Sequence, residues 1–171
     1  MKKLLSALVL ALGLGAAVGA GNAAQAQVAP AETQALATQL DQLMRNPKKP
    51  KQDVTLRLRG CHAEQVVRDR DADVQVSKAL ALSYGSGNSG WAVNLDKGVF
   101  ELKMDFEWAD VTALTYEPAT DDDGQKHFQI KISKRKQGNN ISFELPLYTS
   151  SEATVKDIMR RLEKVRQSCG K

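Results

Sequence analysis

Two cysteines and two histidines are the side chains of this sequence with the chemistry for a metal or thiol site. Cys61 stands directly before His62, whereas His127 and Cys169 lie far along the chain. Zinc needs about four such ligands around one point, and neighbouring residues of a strand point to opposite faces. We therefore expect no metal site, and Cys61 and His62 do not form a nucleophile–base pair.

Gly85, Gly87 and Gly90 match the glycine spacing of a dinucleotide-binding loop. That loop works only when a helix follows it, because the helix N-terminus holds the pyrophosphate. Here the residues 91–95 alternate as in a strand. The pattern predicts a hairpin loop, no nucleotide site and no cofactor.

Acidic residues cluster at Asp69, Asp71 and Asp73, in the spacing that opens a calcium-binding EF-hand loop. The sixth and twelfth positions of such a loop require glycine and glutamate, but they hold Val74 and Leu80 here. Residues 121–124 form a second acidic group, typical of a solvated turn. No acid–base constellation centred on histidine is present, so we predict that the protein is not an enzyme.

Two predicted hairpin tips carry the candidate contacts with a partner. One is the glycine loop, with Asn88 and Trp91, and the other is basic, with Lys134, Arg135 and Lys136. An exposed Trp91 would be the best single anchor for a partner, because tryptophans that become buried on binding dominate many interfaces. The simpler alternative is that the basic tip only keeps a hairpin in solution. Stacking aromatics are not evident near it, and we expect no nucleic-acid partner.

The first 26 of the 171 residues have the pattern of a secretory signal peptide. A basic start is followed by an apolar run and then by Ala24-Gln25-Ala26, a favourable cleavage site. The run is short and rich in glycine for a membrane span. Removing residues 1–26 lowers the net charge from +4 to +2, since only two lysines leave with them. The predicted location is the bacterial periplasm or the exterior.

Export changes the interpretation of the cysteines. An oxidising compartment favours one disulfide between Cys61 and Cys169. Two buried free thiols and a reactive nucleophile remain as alternatives.

The elements that position these residues follow from the hydrophobic period. Residues 31–45 have a helical pattern that ends at Asn46-Pro47, and a Pro/Lys linker follows, so we assign 27–51 to a separate N-terminal helix and linker. This helix either docks on the main domain or forms an arm. The lysines of the linker are either solvated or in contact with a polyanion.

Residues 52–171 are predicted to form a single α+β domain. Period-two alternation predicts about seven strands, at 53–59, 91–95, 100–108, 112–117, 127–133, 141–147 and around 74–84, while 62–68 extends the first strand or pairs back on it. Short polar turns join them into an antiparallel meander. Thr149 and Glu152 fit a capping box for a C-terminal amphipathic helix. We expect a small barrel or a split sandwich that this helix caps.

The order of these elements resembles the pleckstrin-homology-like small barrel. The stretch Phe106-Glu107-Trp108-Ala109-Asp110-Val111 is similar to a short segment near the middle of such domains, and two predicted strands and a helix follow it. The resemblance covers roughly residues 53–169 and rests on element order. It implies a binding or scaffold module without catalysis.

These observations favour an exported, non-catalytic binding or accessory protein of the bacterial envelope, with a protein or an envelope component as its partner. The alternative is a periplasmic inhibitor or immunity protein that blocks an enzyme with a hairpin loop. A hydrolase is the least favoured class.

Overall fold

The computed structural model describes residues 28–72, 80–86, 89–136 and 139–170. The predicted signal peptide, Val74 and Val76 lie outside these residues. The elements, in chain order, are α1 (Pro30–Leu43), β1 (Gln52–Arg59), β2 (His62–Asp69), β3 (Leu80–Ser86), β4 (Ser89–Asp96), β5 (Val99–Glu107), a 3-10 turn (Trp108–Asp110), β6 (Val111–Thr120), β7 (Lys126–Lys136), β8 (Asn139–Leu147) and α2 (Glu152–Cys169).

The predicted α+β class and the antiparallel pairing are confirmed, whereas the barrel alternative is wrong because the described strands do not close into a barrel. Eight described strands form two open sheets, one with the order β1-β2-β5-β4-β3 and one with the order β6-β7-β8. All the strand pairs are antiparallel. Because β2 pairs with β5, the hairpin β3–β4 extends the larger sheet on the far side from β1.

Helix α1 docks on the rest of the chain. Its residues Leu36 and Leu40, with Met44 just beyond its end, are buried in the same apolar cluster as β1, the smaller sheet and α2. The Asp41 carboxylate also accepts a hydrogen bond from the backbone N–H of Leu56, over 3.1 Å. This contact satisfies a donor of β1, which is an edge strand.

A group of polar contacts centred on Asn46 follows α1, and we call it the Asn46 lock. Asn46 is only 5% exposed. Its amide nitrogen donates to Asp121 Oδ2 and to Tyr148 Oη, both over 2.9 Å, and its oxygen accepts from the backbone N–H of Lys48. Lys49 pairs with Asp123 at 3.0 Å. The basic linker and the acidic turn, which the sequence presents as separate patches, therefore contact each other.

Helix α2 packs its apolar side onto the core. Val155, Ile158, Leu162 and Val165 are buried, as the spacing predicts. The predicted cap is wrong: Ser151 is the N-cap, and its hydroxyl accepts from the backbone N–H of Thr154 over 3.2 Å. Among the described residues no helix is long and apolar enough to cross a bilayer.

The predicted disulfide is confirmed. Cys61, in the turn between β1 and β2, is bonded to Cys169, the last residue of α2, with their Cα atoms 5.5 Å apart. The two residues are 108 positions apart in the chain. The bond therefore joins the first hairpin of the larger sheet to the last helix.

The disulfide should contribute much of the stability. A closed loop of this length restricts the unfolded chain, and the chain-entropy model assigns it roughly 4 kcal/mol. The double variant Cys61→Ala/Cys169→Ala should lose about that amount of unfolding free energy in urea denaturation. A loss below about 1 kcal/mol would contradict this role.

The Asn46 lock should matter more than the ion pair beside it. Asn46→Ala removes the hydrogen bonds of a buried amide to its half-buried partners and should lower the free energy of unfolding by about 2 kcal/mol. The matched control is Lys49→Ala, which breaks an exposed ion pair and should change stability little. Equal losses in the two variants, measured by urea denaturation, would show that Asn46 is not the organising contact.

Candidate functional site

One side of the strands β3, β4 and β5 is apolar, and no other described element packs broadly on it. The strand register aligns Leu82 with Val93 and Leu102, and it aligns Trp91 with Met104. Residues that are directly paired in a sheet share a face. We call this surface the open face, and its residues are Leu82, Trp91, Val93, Leu95, Phe100, Leu102 and Met104.

The open face is substantially accessible to solvent. Leu82 is 52% exposed and Trp91 is 42% exposed, while the other members are half-buried. Among the described elements, β3 and β4 pack broadly only against each other and against β5. Large contiguous apolar surfaces on folded proteins commonly mark interaction sites.

The open face continues the apolar core without a break. The register places Gln65 between Leu56 and Met104, and the Gln65 amide donates to the backbone carbonyl of Glu144, over 2.9 Å. Met104 lies next to it and packs against the buried cluster. Gln65 therefore marks the boundary at which the smaller sheet ends its cover of the larger one.

The reverse side of the same strands is polar. Ser83, Asn94 and Lys103 alternate with the residues of the open face, and Glu101 pairs there with Lys103 at 3.2 Å. None of the seven open-face residues is titratable. Binding at this surface would therefore depend on apolar contact and hydrogen bonding, with little dependence on salt or pH.

Strand β3 adds an exposed sheet edge to the open face. It is the last strand of its sheet, and no described strand pairs with its outer side. Its sequence, Leu-Ala-Leu-Ser-Tyr-Gly-Ser, contains neither a charge nor a proline. Charged residues, prolines and covering elements are the usual protection of sheet edges against strand addition.

The other three edges have such protection. Helix α1 lies against β1, where Asp41 accepts the N–H of Leu56. Strand β6 contains Pro118 and contacts α2, and β8 contains Pro146 and is bound at Glu144 by Gln65. Edge β3 thus differs from the other edges of the described sheets.

The structure places the residues predicted for partner contact in different environments. Trp91 lies on the open face. Asn88 is outside the described residues, as is the side chain of Lys136, and Arg135 is exposed on β7.

The structure contradicts the prediction that Lys134 is exposed at a hairpin tip. Its side chain is only 3% exposed, and its Nζ lies 5.0 Å from the ring centroid of Phe143. Lys134 shares the parity of Ile130 and Ile132, so β7 directs it to the buried side. The exposed basic tip expected at this position is therefore wrong for Lys134.

Both histidines are held by neighbouring groups. His62 lies 3.0 Å from Glu107 and 3.4 Å from Asp105. The buried ring of His127 contacts the side chain of Gln129 at 3.0 Å and the carbonyl of Gln125 at 3.3 Å. Over the described residues, no three His, Cys, Asp or Glu side chains are grouped so as to hold a metal ion.

A wide cleft lies at the end of the smaller sheet. It has a volume of about 810 Å³, and His127, Phe128 and Tyr148 are among the residues that line it. The ring centroids of His127 and Tyr148 are 5.2 Å apart. Since the polar atoms of both side chains are already bonded within the protein, they have the character of a structural cluster.

Sequence reasoning identified Trp91 but missed β3 as an edge. The available indication was the absence of charge and proline over 80–86. Position at a sheet edge depends on the non-local pairing of β2 with β5, which alternation alone does not give.

The two tryptophans should report the open face separately. Trp91 is exposed, while Trp108 is fully buried, so acrylamide should quench Trp91 and largely spare Trp108. Trp91→Phe should leave a blue-shifted, poorly quenched emission. Unchanged quenching in that variant would show that Trp91 is covered in solution.

Comparison with known proteins gives no relative: no protein-family model matches the chain, and neither a curated protein nor a solved structure is significantly similar to it.

Proposed function

We propose that this chain is an exported, non-catalytic binding or accessory protein of the bacterial envelope, which binds an extended polypeptide segment of another protein along β3. The observation that carries the proposal is the uncharged, proline-free edge β3, continuous with the exposed apolar open face. The pleckstrin-homology-like resemblance, which also implies a binding module, remains a prediction.

The chemistry of the partner follows from the edge itself. The outer side of an edge strand presents backbone N–H and C=O groups, which an added strand satisfies by continuing the ladder. Alternate side chains of that strand lie on the same side as Leu82 and Trp91. The preferred segment is therefore extended and uncharged, with apolar residues at every second position.

Export is supported by two independent features. The pattern of residues 1–26 is that of a signal peptide, and a disulfide such as Cys61–Cys169 persists mainly in oxidising compartments. The inhibitor alternative uses the same surface with an enzyme as the partner. It would be recognised by loss of that enzyme's activity on binding.

A designed strand peptide tests the proposed binding. The probe is a soluble peptide of alternating valine and threonine with a lysine at each end, and the change in Trp91 emission reports its binding. The control peptide has the same composition and one central proline, which cannot complete the ladder. We expect saturable binding of the first peptide only, with little dependence on salt.

Substitutions then place the peptide on the protein. Leu82→Lys puts a charge on the open face and should weaken binding at least about tenfold, as expected for a central contact. Thr115→Lys makes a matched change at an exposed position of the protected edge β6 and should have no effect. Equal affinity in both variants would contradict the proposal. A stable dimer in sedimentation that forms through β3 would also contradict it, because a second copy of the chain would then occupy the edge.

A further inference from the structure

A polar cleft lies on the side of the larger sheet opposite the open face. It has a volume of about 440 Å³, and four arginines line it: Arg45, Arg57, Arg68 and Arg70. We call it the arginine cleft. Neither the proposed polypeptide partner nor the sequence patterns account for it.

The β1–β2 hairpin builds the floor of the cleft. Its register sets Thr55 opposite Val66 and Arg57 opposite Glu64. Val66 is buried although it is on the outer side of the sheet. Arg68 follows two residues after Val66 on the same side, so guanidinium groups flank the floor at both ends.

Two further arginines reach the cleft from outside the strands. Arg45 comes from the segment after α1, and Arg70 follows the last residue of β2. The docking of α1 therefore brings a fourth cation to a hairpin that already carries three.

Three ion pairs partly neutralise the cluster, namely Arg57–Glu64 at 2.8 Å, Arg70–Asp53 at 2.6 Å and Arg68–Glu101. Glu101 is shared with Lys103. The hydrogen bond from Arg68 lowers the pKa of Glu101, so this carboxylate is ionised at neutral pH. Arg45 makes no ion pair with any described residue.

The charges do not balance. Five cations, the four arginines and Lys103, meet four carboxylates: Asp53, Glu64 and Glu101 in ion pairs, and Asp41 through its electrostatic interaction with Arg45 and Arg57. A guanidinium has five N–H donors in a fixed fork, and one carboxylate leaves several of them unused. The excess of one positive charge and the unused donors match an anion with several oxygens.

We propose that the arginine cleft binds a phosphate group through Arg45 and the free donors of Arg57 and Arg70, above the Thr55 hydroxyl. Arginine forks suit the oxygens of phosphate, and such charge-assisted hydrogen bonds are stronger than neutral ones. A phosphate group also offers more oxygens to these donors than a single carboxylate does. The group belongs either to a soluble phosphate compound or to the headgroup of a lipid.

Titration with inorganic phosphate at constant ionic strength tests the site. Chloride replaces phosphate in the reference, and the backbone amide resonances of Thr55 and Val66 are followed by NMR. We expect saturable shifts at these amides. The variant Arg45→Gln should weaken phosphate binding at least about fivefold without disturbing an ion pair, since each lost charge-assisted hydrogen bond carries at least that factor.

The matched control is Arg135→Gln, which removes an exposed arginine from the other sheet and should leave the affinity unchanged. Vesicles of phosphatidylglycerol, compared with vesicles of phosphatidylcholine, distinguish the two sources. Binding to the former that depends on Arg45 assigns a lipid headgroup, and binding of inorganic phosphate alone assigns a soluble ligand.

The proposal would be overturned by amide shifts that stay linear in phosphate concentration, or that are equal in Arg45→Gln and Arg135→Gln, together with vesicle binding that does not depend on Arg45. Because Leu82→Lys alters only the open face, it should leave phosphate binding intact. Failure at the arginine cleft is thus separate from failure at β3.

Discussion

The layout of this protein depends on the limited extent of the cover over its larger sheet, which α1, α2 and the smaller sheet provide together. Helix α1 lies on β1, and its residues Leu36 and Leu40 share one buried cluster with the smaller sheet and α2. The larger sheet is five strands wide, and this cover ends near Gln65. The solvated face of an antiparallel sheet is commonly polar, so the apolar strip beyond Gln65 departs from that pattern in the way that interaction surfaces do.

The covered half is held by contacts that join distant parts of the chain. The disulfide ties the β1–β2 turn to the end of α2, and Asn46 joins the end of α1 to Tyr148 and Asp121. These contacts stabilise the part of the protein from which β3 and β4 extend. The two sides of the larger sheet then differ in chemistry, with apolar residues on the open face and arginines on the reverse of β1 and β2.

The sequence predicted most of the elements and the disulfide, but not their arrangement. Alternation predicts strands around Trp91 and Phe106 equally well, yet Phe106 is buried and Trp91 is exposed. Parity tells which side of a strand a residue occupies, and only the tertiary pairing tells what covers that side. Lys134 shows the reverse case, because its parity with Ile130 and Ile132 indicated burial although its charge favoured exposure. The arginine cleft was hidden for a similar reason, since Arg45 is distant in sequence from β1 and β2.

Amide hydrogen exchange at β3 tests the central claim most directly. The rates of residues 80–86 would be measured by NMR in the free protein and with the alternating peptide, with β6 as the internal reference. The account predicts fast exchange at the outward-facing amides of β3 in the free protein and marked slowing when the peptide binds, with no change at β6. Outward-facing β3 amides that are already protected in the free protein, or slowing of equal size at β6, would contradict it.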